Sequence, residues 1–520
     1  MKRTLQRGIW LVLLALVPLA AARAQQPMER PQPPARPAPP AAAAETPKEE
    51  SSVTEHTIRI GGRTIPYRAT VGSILLKDDK GEPTALLYYT AYTRTDVQDL
   101  DHRPLAFLYN GGPGSSSVWL HMGAFGPRRV VTTDADYTPP PPYTLEDNEN
   151  SLLDVADLVF IDPVGTGFSH AVGKAKDSDF WGVDEDVRSL AQFITEYVSR
   201  NNRWNSPKFL IGESYGTFRS VALGAYLQSR VGMYLNGIVL ISSVLDLGTI
   251  SFHPGQDLPY IFYLPSYAAA AWYHRILKDR PADLNAFLAQ VRQYAVGPYA
   301  QALMKGAQLS AAEKQAVARE LSRYTGLSED YWIKANLRVT LPQFMAELQR
   351  ARGLVTGRLD ARFSGPMIDL LSEFGGYDPQ SEAVTGAFTA AFNRYIREEL
   401  KFGQGKTYKI SADGAGRQWN WRHQGRGGFG FPGSPNVMDD LVQAFVTNPG
   451  LRVEVENGLY DLATPFFATE YTMDHLSLPE AARSRIALKY YEAGHMMYLH
   501  RASLQELKAN VARFISQSVH

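Results

Sequence analysis

The sequence contains no cysteine, which excludes disulfide bonds, cysteine-ligated zinc and a cysteine nucleophile together. Packing alone must therefore hold the fold, even in an oxidising compartment. An excess of charge is missing as well, because 53 Lys and Arg balance 53 Asp and Glu. Nucleic-acid-binding domains are usually strongly basic, so this balance predicts no nucleic-acid partner.

Motifs for metals and cofactors are also missing. No His-Glu-x-x-His segment occurs, and the 11 histidines are scattered along the chain, which argues against metal dependence. Residues 165–167 fail the dinucleotide-binding pattern, because His170 stands where a third glycine is required. No phosphate-binding Gly-x-x-x-x-Gly-Lys is present. The sequence predicts a protein that uses neither a metal nor a cofactor.

The start of the chain has the order of a secretory signal peptide. Basic residues are followed by an apolar run and a small-x-small triplet that ends at Ala24, so residues 1–24 are a predicted signal peptide. An uncleaved membrane anchor is the alternative. The run is short for a span of about 20 residues, and Pro18 interrupts it. We expect an exported protein, periplasmic or secreted, without stable membrane association after cleavage.

Composition divides the rest of the chain into four parts. Residues 25–50 are rich in Pro and Ala and lack an apolar face, which predicts a disordered linker. Residues 51–250 begin with hairpin patterns and continue as alternating strands and helices. Residues 251–425 are mainly helical in pattern and predict an inserted cap. Strand patterns return in residues 426–520, the predicted second half of the core.

Four short apolar runs bounded by turn residues are typical of strands buried on both faces of a parallel sheet. Between two of them, residues 183–200 show helical periodicity. Strands that alternate with helices predict a mostly parallel α/β sheet flanked by helices. The four runs lie at 104–110, 157–163, 208–212 and 237–242.

Two local patterns concern the later part of the chain. Ser310 and Glu313 form a capping-box pattern, and Gly326 provides a stop, so a helix is predicted between them. The glycine- and aromatic-rich residues 414–436 are interpreted as a mobile loop rather than a binding segment.

The segment Gly-Glu-Ser-Tyr-Gly at 212–216 lies between a predicted buried strand and a predicted helix. This is the setting of a nucleophile elbow, in which flanking glycines permit a tight, strained turn around the serine. Ser214 is therefore a candidate nucleophile, and an ordinary serine in a glycine-rich turn is the alternative. The similar residues 167–171 lack the second glycine and a following helix pattern.

A serine nucleophile needs a base, and the base needs an acid that holds its tautomer. In this architecture both should follow later strands, in the order acid and then histidine. Asp461 and His495 each come directly after a predicted strand. The competing candidates Asp474, His475 and His500 fall in segments that are predicted helices or are less well placed.

Donors for a developing oxyanion are also predicted. The backbone N–H of Tyr215, the residue after the serine, supplies one. The loop Asn-Gly-Gly-Pro-Gly at 110–114 follows a strand and can supply the second, because glycines allow close approach of the backbone.

With these residues in place, the chain resembles the serine carboxypeptidase family of α/β-hydrolases. The resemblance covers roughly residues 55–245 and 430–520, and residues 250–425 carry no matching motif. It depends on five segments in the family's order: NGGPGSSS (110–117), IDPVGTGFS (161–169), GESYG (212–216), NGLYDLATP (457–465) and EAGHMMYLH (492–500).

The resemblance implies an α/β-hydrolase fold with an inserted helical cap and an enzyme that removes the C-terminal residue of peptides. It implies a triad of Ser214, His495 and Asp461 with an acyl-enzyme.

It also implies an oxyanion hole at Gly112 and Tyr215, and binding of the substrate's free carboxylate by Asn110 and Glu213. Two carboxyl groups hydrogen-bond to each other only when they share a proton. The resemblance therefore implies a preference for acidic solution.

The chain departs from the family at two positions. Ala124 stands where family members commonly have a second glutamate, and Ser115 stands for the cysteine of the loop. These changes bear on the pH range and on the strictness for a free C-terminus, whereas the triad is intact.

Two other functions stay open at this point. An esterase or acyltransferase uses the same triad and oxyanion hole and differs only in its acceptor and cap. A catalytically inactive exported binding protein is the alternative of another class, and the intact triad residues argue against it. The expected partners are peptides with a free C-terminus, and the oligomeric state is open.

Overall fold

The computed structural model describes residues 47–423 and 434–519. The predicted signal peptide, 1–24, lies outside this part of the chain. So do most of the predicted linker, 25–50, and the middle of the glycine-rich stretch 414–436. These three interpretations stay predictions.

A ten-stranded mixed sheet forms the centre of the described chain, and two small hairpins accompany it. In chain order the strands are β1 Ser51–Ile60, β2 Arg63–Lys77, β3 Pro83–Arg94, β4 Leu105–Tyr109, β5 Arg128–Val130, β6 Leu145–Asp147, β7 Asp157–Ile161, β8 His170–Ala171, β9 Lys208–Glu213, β10 Gly237–Ile241, β11 Leu354–Thr356, β12 Ser364–Pro366, β13 Arg452–Gly458 and β14 Ile486–Tyr491.

The N-terminal edge of the sheet is antiparallel. Strands β1, β2 and β3 pair as consecutive hairpins, with Ile60 opposite Arg63 at the first turn. Gly61 and Gly62 both have positive φ in that turn, the conformation that favours glycine. The predicted hairpins are confirmed.

The rest of the main path is parallel, in the order β7-β4-β9-β10-β13-β14, and β3 joins it through an antiparallel pairing with β7. Every residue of β4, β7, β9 and β10 is buried. Within β4 the side chains alternate between two apolar clusters, one on each face. Burial on both faces explains why these runs are continuously apolar rather than alternating.

Helices cover both faces of the sheet and fill the long connection between β10 and β13. The predicted helix over 183–200 is confirmed as α1. The helices are α1 Val183–Arg200, α2 Tyr215–Tyr226, α3 Leu258–Tyr273, α4 Leu284–Tyr294, α5 Ala300–Lys305, α6 Ala311–Thr325, α7 Glu329–Lys334, α8 Leu341–Glu347, α9 Pro379–Glu398, α10 Ala415–Gln418, α11 Met438–Thr447, α12 Phe466–Asp474, α13 Glu480–Arg483 and α14 Arg501–Gln517.

Helices α3 to α8 share a third apolar cluster, which also includes Leu459 and Tyr460 from the loop after β13. The small β11–β12 hairpin interrupts the helices of this region, which the sequence pattern did not predict. In α6 the Ser310–Glu313 capping box forms as predicted, and Gly326 ends the helix with φ of 72°.

None of the helices in the described part of the chain is long and apolar enough to cross a membrane.

Candidate active site

The turn between β9 and α2 places Ser214 at the carboxyl end of a central strand. Its backbone has φ of 61° and ψ of −130°, a strained conformation for a residue with a side chain. The Ser214 N–H donates to the carbonyl of Ile241 on β10 at 2.9 Å, which holds the turn against the neighbouring strand. A Cβ on Gly212 would collide with the Gly216 carbonyl, so this turn requires glycine. The half-buried serine lines a cleft of about 210 Å³.

Asp461 and His495 follow β13 and β14, two adjacent parallel strands, and therefore end at the same edge of the sheet. Nδ1 of His495 lies 2.8 Å from Oδ2 of Asp461. Both side chains are buried, and His495 lines the same cleft as Ser214. Since Asp461 engages Nδ1, the other ring nitrogen, Nε2, is left to exchange a proton within the cleft.

Asp461 is held from several sides by the loop that follows it. Its Oδ1 accepts hydrogen bonds from the N–H groups of Ala463, at 2.7 Å, and Thr464, at 2.9 Å. The Thr464 hydroxyl lies 2.7 Å from Oδ2 and 3.3 Å from the imidazole Nδ1. Sequence reasoning did not single out Thr464, although it lies within the quoted NGLYDLATP segment. Such contacts fix the carboxylate in place.

The imidazole is positioned through its backbone as well. The hydroxyl of Ser242, which follows β10, donates to the His495 carbonyl at 2.6 Å. The His495 N–H donates to the Leu359 carbonyl at 2.6 Å, which ties the base to the segment after β11. Burial acts to lower the pKa of His495, but Asp461 and, more weakly, Glu213 act in the opposite direction, so the pKa is raised.

The glycine-rich loop 110–114 packs directly against the elbow. A Cβ on Gly111 would collide with the backbone nitrogen of Tyr215, so only glycine permits this approach. Tyr215 is the first residue of α2, and its N–H has no partner within the helix. Gly111 and Gly112 both line the cleft. The loop thus packs against the N-terminus of α2 at the edge of the cleft.

Asn110 and Glu213 are buried neighbours of the serine, and both line the cleft. Asn110 Oδ1 accepts the N–H of Leu120 at 3.0 Å, which directs the amide group. Burial raises the pKa of Glu213 from 4.5 to about 7, against the opposing effects of His495, Tyr498 and Asn110. The carboxyl group is therefore largely protonated below neutral pH and can donate a hydrogen bond.

Three polar atoms of this region are buried and make no hydrogen bond of normal geometry to any described residue: Asn110 Nδ2, Glu213 Oε2 and Tyr498 Oη. Tyr498 was not predicted, although it lies in the quoted EAGHMMYLH segment. Its ring occupies the space beside Gly123, where a Cβ would lie 2.6 Å from a ring carbon. Ala124 follows Gly123 in the chain and is fully buried. It stands at the position where the resemblance places the family's second glutamate. Unpaired buried polar atoms are rare and mark a site for a ligand or a strained contact.

The competing candidates lie elsewhere. His475 bonds to the Tyr471 carbonyl at 2.7 Å, and His500 to the Ser503 hydroxyl at 2.8 Å. Neither these histidines nor Asp474 are among the residues that line the cleft. Within residues 47–423 and 434–519, no group of three or more His, Asp or Glu side chains is arranged to hold a metal ion.

Comparison with known proteins gives one family. A family model for serine carboxypeptidase matches residues 72–241. Serine carboxypeptidase-like 51 of Arabidopsis thaliana is 29% identical over 165 residues, which are 30% of this chain and 33% of that protein. A pheromone-processing carboxypeptidase of Phytophthora infestans is 29% identical over 140 residues, which are 27% of this chain and 21% of that protein. The matched part of the chain thus spans a third or less of these relatives.

Among solved structures, the prohormone-processing carboxypeptidase from Saccharomyces cerevisiae matches with a TM-score of 0.52 at 17% identity, over 87% of this chain and 91% of that chain. This likeness shows the fold. The predicted α/β fold and the resemblance to serine carboxypeptidases are both confirmed.

Proposed function

We propose that this relative of the serine carboxypeptidases is an exported enzyme that removes the C-terminal residue of peptides. One observation carries the proposal: Ser214 and the Asp461-bound His495 share a cleft with the buried pair Asn110 and Glu213. The first group supplies acyl-transfer chemistry. The second presents a buried amide and a buried carboxyl group with a raised pKa, and both can donate a hydrogen bond to a carboxylate.

The chemistry has two halves. In the first, Ser214 Oγ attacks the carbonyl carbon of the last peptide bond while His495 Nε2 takes the hydroxyl proton. The N–H groups of Gly112 and Tyr215 donate to the oxyanion that develops. His495 then gives its proton to the leaving amine, and the C-terminal residue departs. In the second half, His495 takes a proton from water, which attacks the acyl-enzyme and releases the shortened peptide and the serine.

Asn110 and Glu213 determine which bond is attacked. Nδ2 of Asn110, which makes no hydrogen bond of normal geometry within the described residues, donates one hydrogen bond to the substrate's terminal carboxylate, and the protonated carboxyl of Glu213 donates another. Ionised Glu213 would repel that carboxylate. Because the pKa of Glu213 is raised to about 7, binding is complete in acid and is lost as the pH rises through about 7.

His495 sets the opposite limit. As a general base it works only in its neutral form, and its pKa is raised. Part of that increase comes from the charge of Glu213. When Glu213 takes up a proton this contribution disappears, so the base stays available further into the acid range. The pH profile of cleavage therefore depends on both groups.

The test compares wild type with Ser214→Ala and Glu213→Gln on N-blocked peptides whose C-terminus is either free or amidated. Release of the last residue is followed from about pH 4 to about pH 9. We expect release from the free acid, none with Ser214→Ala, and a decline above about pH 7 that Glu213→Gln abolishes, because glutamine donates at any pH.

Equal cleavage of the amidated peptide would remove the assigned role of Asn110 and Glu213. Hydrolysis of esters without cleavage of peptides would favour an esterase or acyltransferase. Equal activity of wild type and Ser214→Ala on every acyl substrate would contradict the nucleophile.

A further inference from the structure

Three ionisable side chains occur among the described residues that line the cleft: Glu213, His495 and Arg358. The first two have roles in the proposed chemistry. Arg358 has none, and it comes from the turn after β11, in the long region between β10 and β13 that matches no family motif.

The backbone of this turn is tied to both sides of the active-site machinery. The carbonyl of Arg358 accepts the N–H of Leu462, next to Asp461, at 3.0 Å. The carbonyl of Leu359 accepts the N–H of His495 at 2.6 Å. Arg358 is thus held at a fixed place beside the reacting groups, whereas its side chain is exposed to the cleft.

The guanidinium of Arg358 forms no ion pair with a carboxylate in residues 47–423 and 434–519. Arg362, four positions later, differs from Arg358 in both respects, because it is buried and forms ion pairs with Asp360 and Asp134. The carboxylate of Asp378 lies near this turn, but its two oxygens accept the N–H groups of Leu359 and Gln380, each at 3.0 Å. An unpaired guanidinium in a cleft is a strong partner for a carboxylate.

The charge of Arg358 extends over the site. It acts to lower the pKa of His495 and also that of Tyr263, a buried residue of the helical region. The first turn of α9, with Gln380 and Ser381, lines the cleft as well, and Asp378 already caps the N-terminus of this helix. The charge of Arg358 therefore favours an anionic group in the cleft and disfavours a cationic one.

The other part of the lining is apolar. Trp119, Val384 and Met496 line the cleft and offer no charge. The cleft therefore offers apolar surface to a neutral side chain and the charge of Arg358 to a negative one. Asn110 and Glu213, buried beside the serine, already account for the terminal carboxylate, so Arg358 is left for a second carboxylate of the substrate.

We propose that Arg358 selects peptides that carry aspartate or glutamate at one of the two residues joined by the scissile bond. This inference depends on the proposed function for its reaction but concerns the binding of a charged side chain. Arg358 is a specificity-determining residue in this scheme, and the chemical steps do not pass through it.

The experiment uses peptide sets that differ only in having Glu, Gln or Lys, either at the last residue or at the one before it. Values of kcat/KM are measured for wild type, Arg358→Gln, Arg358→Glu and the control Arg63→Gln, which removes an exposed charge at the β1–β2 turn. We expect about a tenfold preference for Glu at one position in wild type and in the control. It should vanish in Arg358→Gln, and Arg358→Glu should prefer Lys there.

A second measurement separates this inference from the proposed function. Binding of the same peptides is measured in the Ser214→Ala background, where no bond is cleaved. If wild type cleaves no peptide but Ser214→Ala binds the Glu peptides more tightly through Arg358, the proposed function is wrong and the inference holds. Equal binding of Glu and Gln peptides overturns the inference. An equal loss of binding for all peptides in Arg358→Gln also overturns the inference, because Arg358 would then bind the terminal carboxylate or support the structure.

Discussion

Asp461 and Glu213 are buried carboxylic acids that both influence His495, yet their oxygens have different surroundings. Those of Asp461 meet two backbone N–H groups, the Thr464 hydroxyl and the imidazole. Glu213 has a buried oxygen without a hydrogen bond of normal geometry, and its neighbours, the Asn110 amide and the Tyr498 hydroxyl, lack one as well. A carboxylate with all its hydrogen bonds made is fixed in place, whereas burial raises the pKa of Glu213 to about 7, so that this group keeps its proton below neutral pH and can bind a ligand. We infer that Asp461 has a fixed role in positioning His495, whereas Glu213 belongs to a site that binds a ligand.

The largest expected effect comes from Asp461→Asn. Asparagine fills the same space but favours the wrong tautomer of His495, so kcat/KM should fall by about 10⁴ for peptide and ester substrates alike. Asp474→Asn is the control, because Asp474 is exposed and does not line the cleft. Equal losses in the two variants would contradict the assignment of Asp461.

A smaller loss is expected from Thr464→Val, which deletes the hydroxyl that contacts Asp461 and keeps the shape of the side chain. Loss of a hydrogen bond to a charged group corresponds to a decrease of about 10- to 100-fold in kcat. Thr464→Ser keeps the hydroxyl and should retain most of the activity. If Val and Ser are equally active, the hydroxyl has no part in fixing the carboxylate.

The next prediction concerns stability. The pKa of Glu213 is raised in the folded protein from 4.5 to about 7, so the folded state holds this proton more tightly than the unfolded state. The corresponding stability is present below about pH 4.5 and is lost as the pH rises to about 7, by about 3 kcal/mol. Glu213→Gln should therefore gain about that much relative to wild type between these two pH values, as measured by urea unfolding. The exposed Glu149 provides the control, since Glu149→Gln should show no such change.

Tyr498→Phe should have the smallest effect. The Tyr498 hydroxyl favours the ionised form of Glu213 and so lowers its pKa. Without it the pKa rises, and cleavage of free-acid peptides should extend to higher pH by about half a unit. Tyr267→Phe is a matched control, because it removes another buried hydroxyl that makes no normal hydrogen bond within the described residues, in the helical region. An unchanged or narrower pH profile in Tyr498→Phe would show that the hydroxyl does not act on Glu213.

The sequence was most informative where chemistry and local geometry coincide. Continuous apolar runs predicted the strands because both faces of the parallel sheet are covered. The glycines around Ser214 predicted a strained turn because no other residue fits there. The order of strands placed Asp461 and His495 at one edge of the sheet, and the structure brings their side chains into contact.

The remaining features depend on contacts between distant parts of the chain. Nothing near Tyr498 in the sequence indicates that its ring fills the space beside Gly123. Thr464 has the same local pattern whether or not its hydroxyl reaches Asp461. Arg358 lies in a region without motifs, where periodicity predicts helices but not which turn reaches the cleft. Such pairings are decided by tertiary packing rather than by local propensity.

The pairing of β13 and β14 with the rest of the sheet has a consequence for biosynthesis. Ser214 is synthesised early, whereas Asp461 and His495 follow the last two strands, β13 and β14. Strand β13 joins the sheet through β10. Chains emerge from the N-terminus first and fold by domain. Under the proposed function, a nascent or truncated chain therefore displays Ser214 without the base assigned to it, and peptide cleavage begins only when the final strands are in register. If the protein is exported as proposed, the order of the strands would keep the incomplete chain inactive during its synthesis.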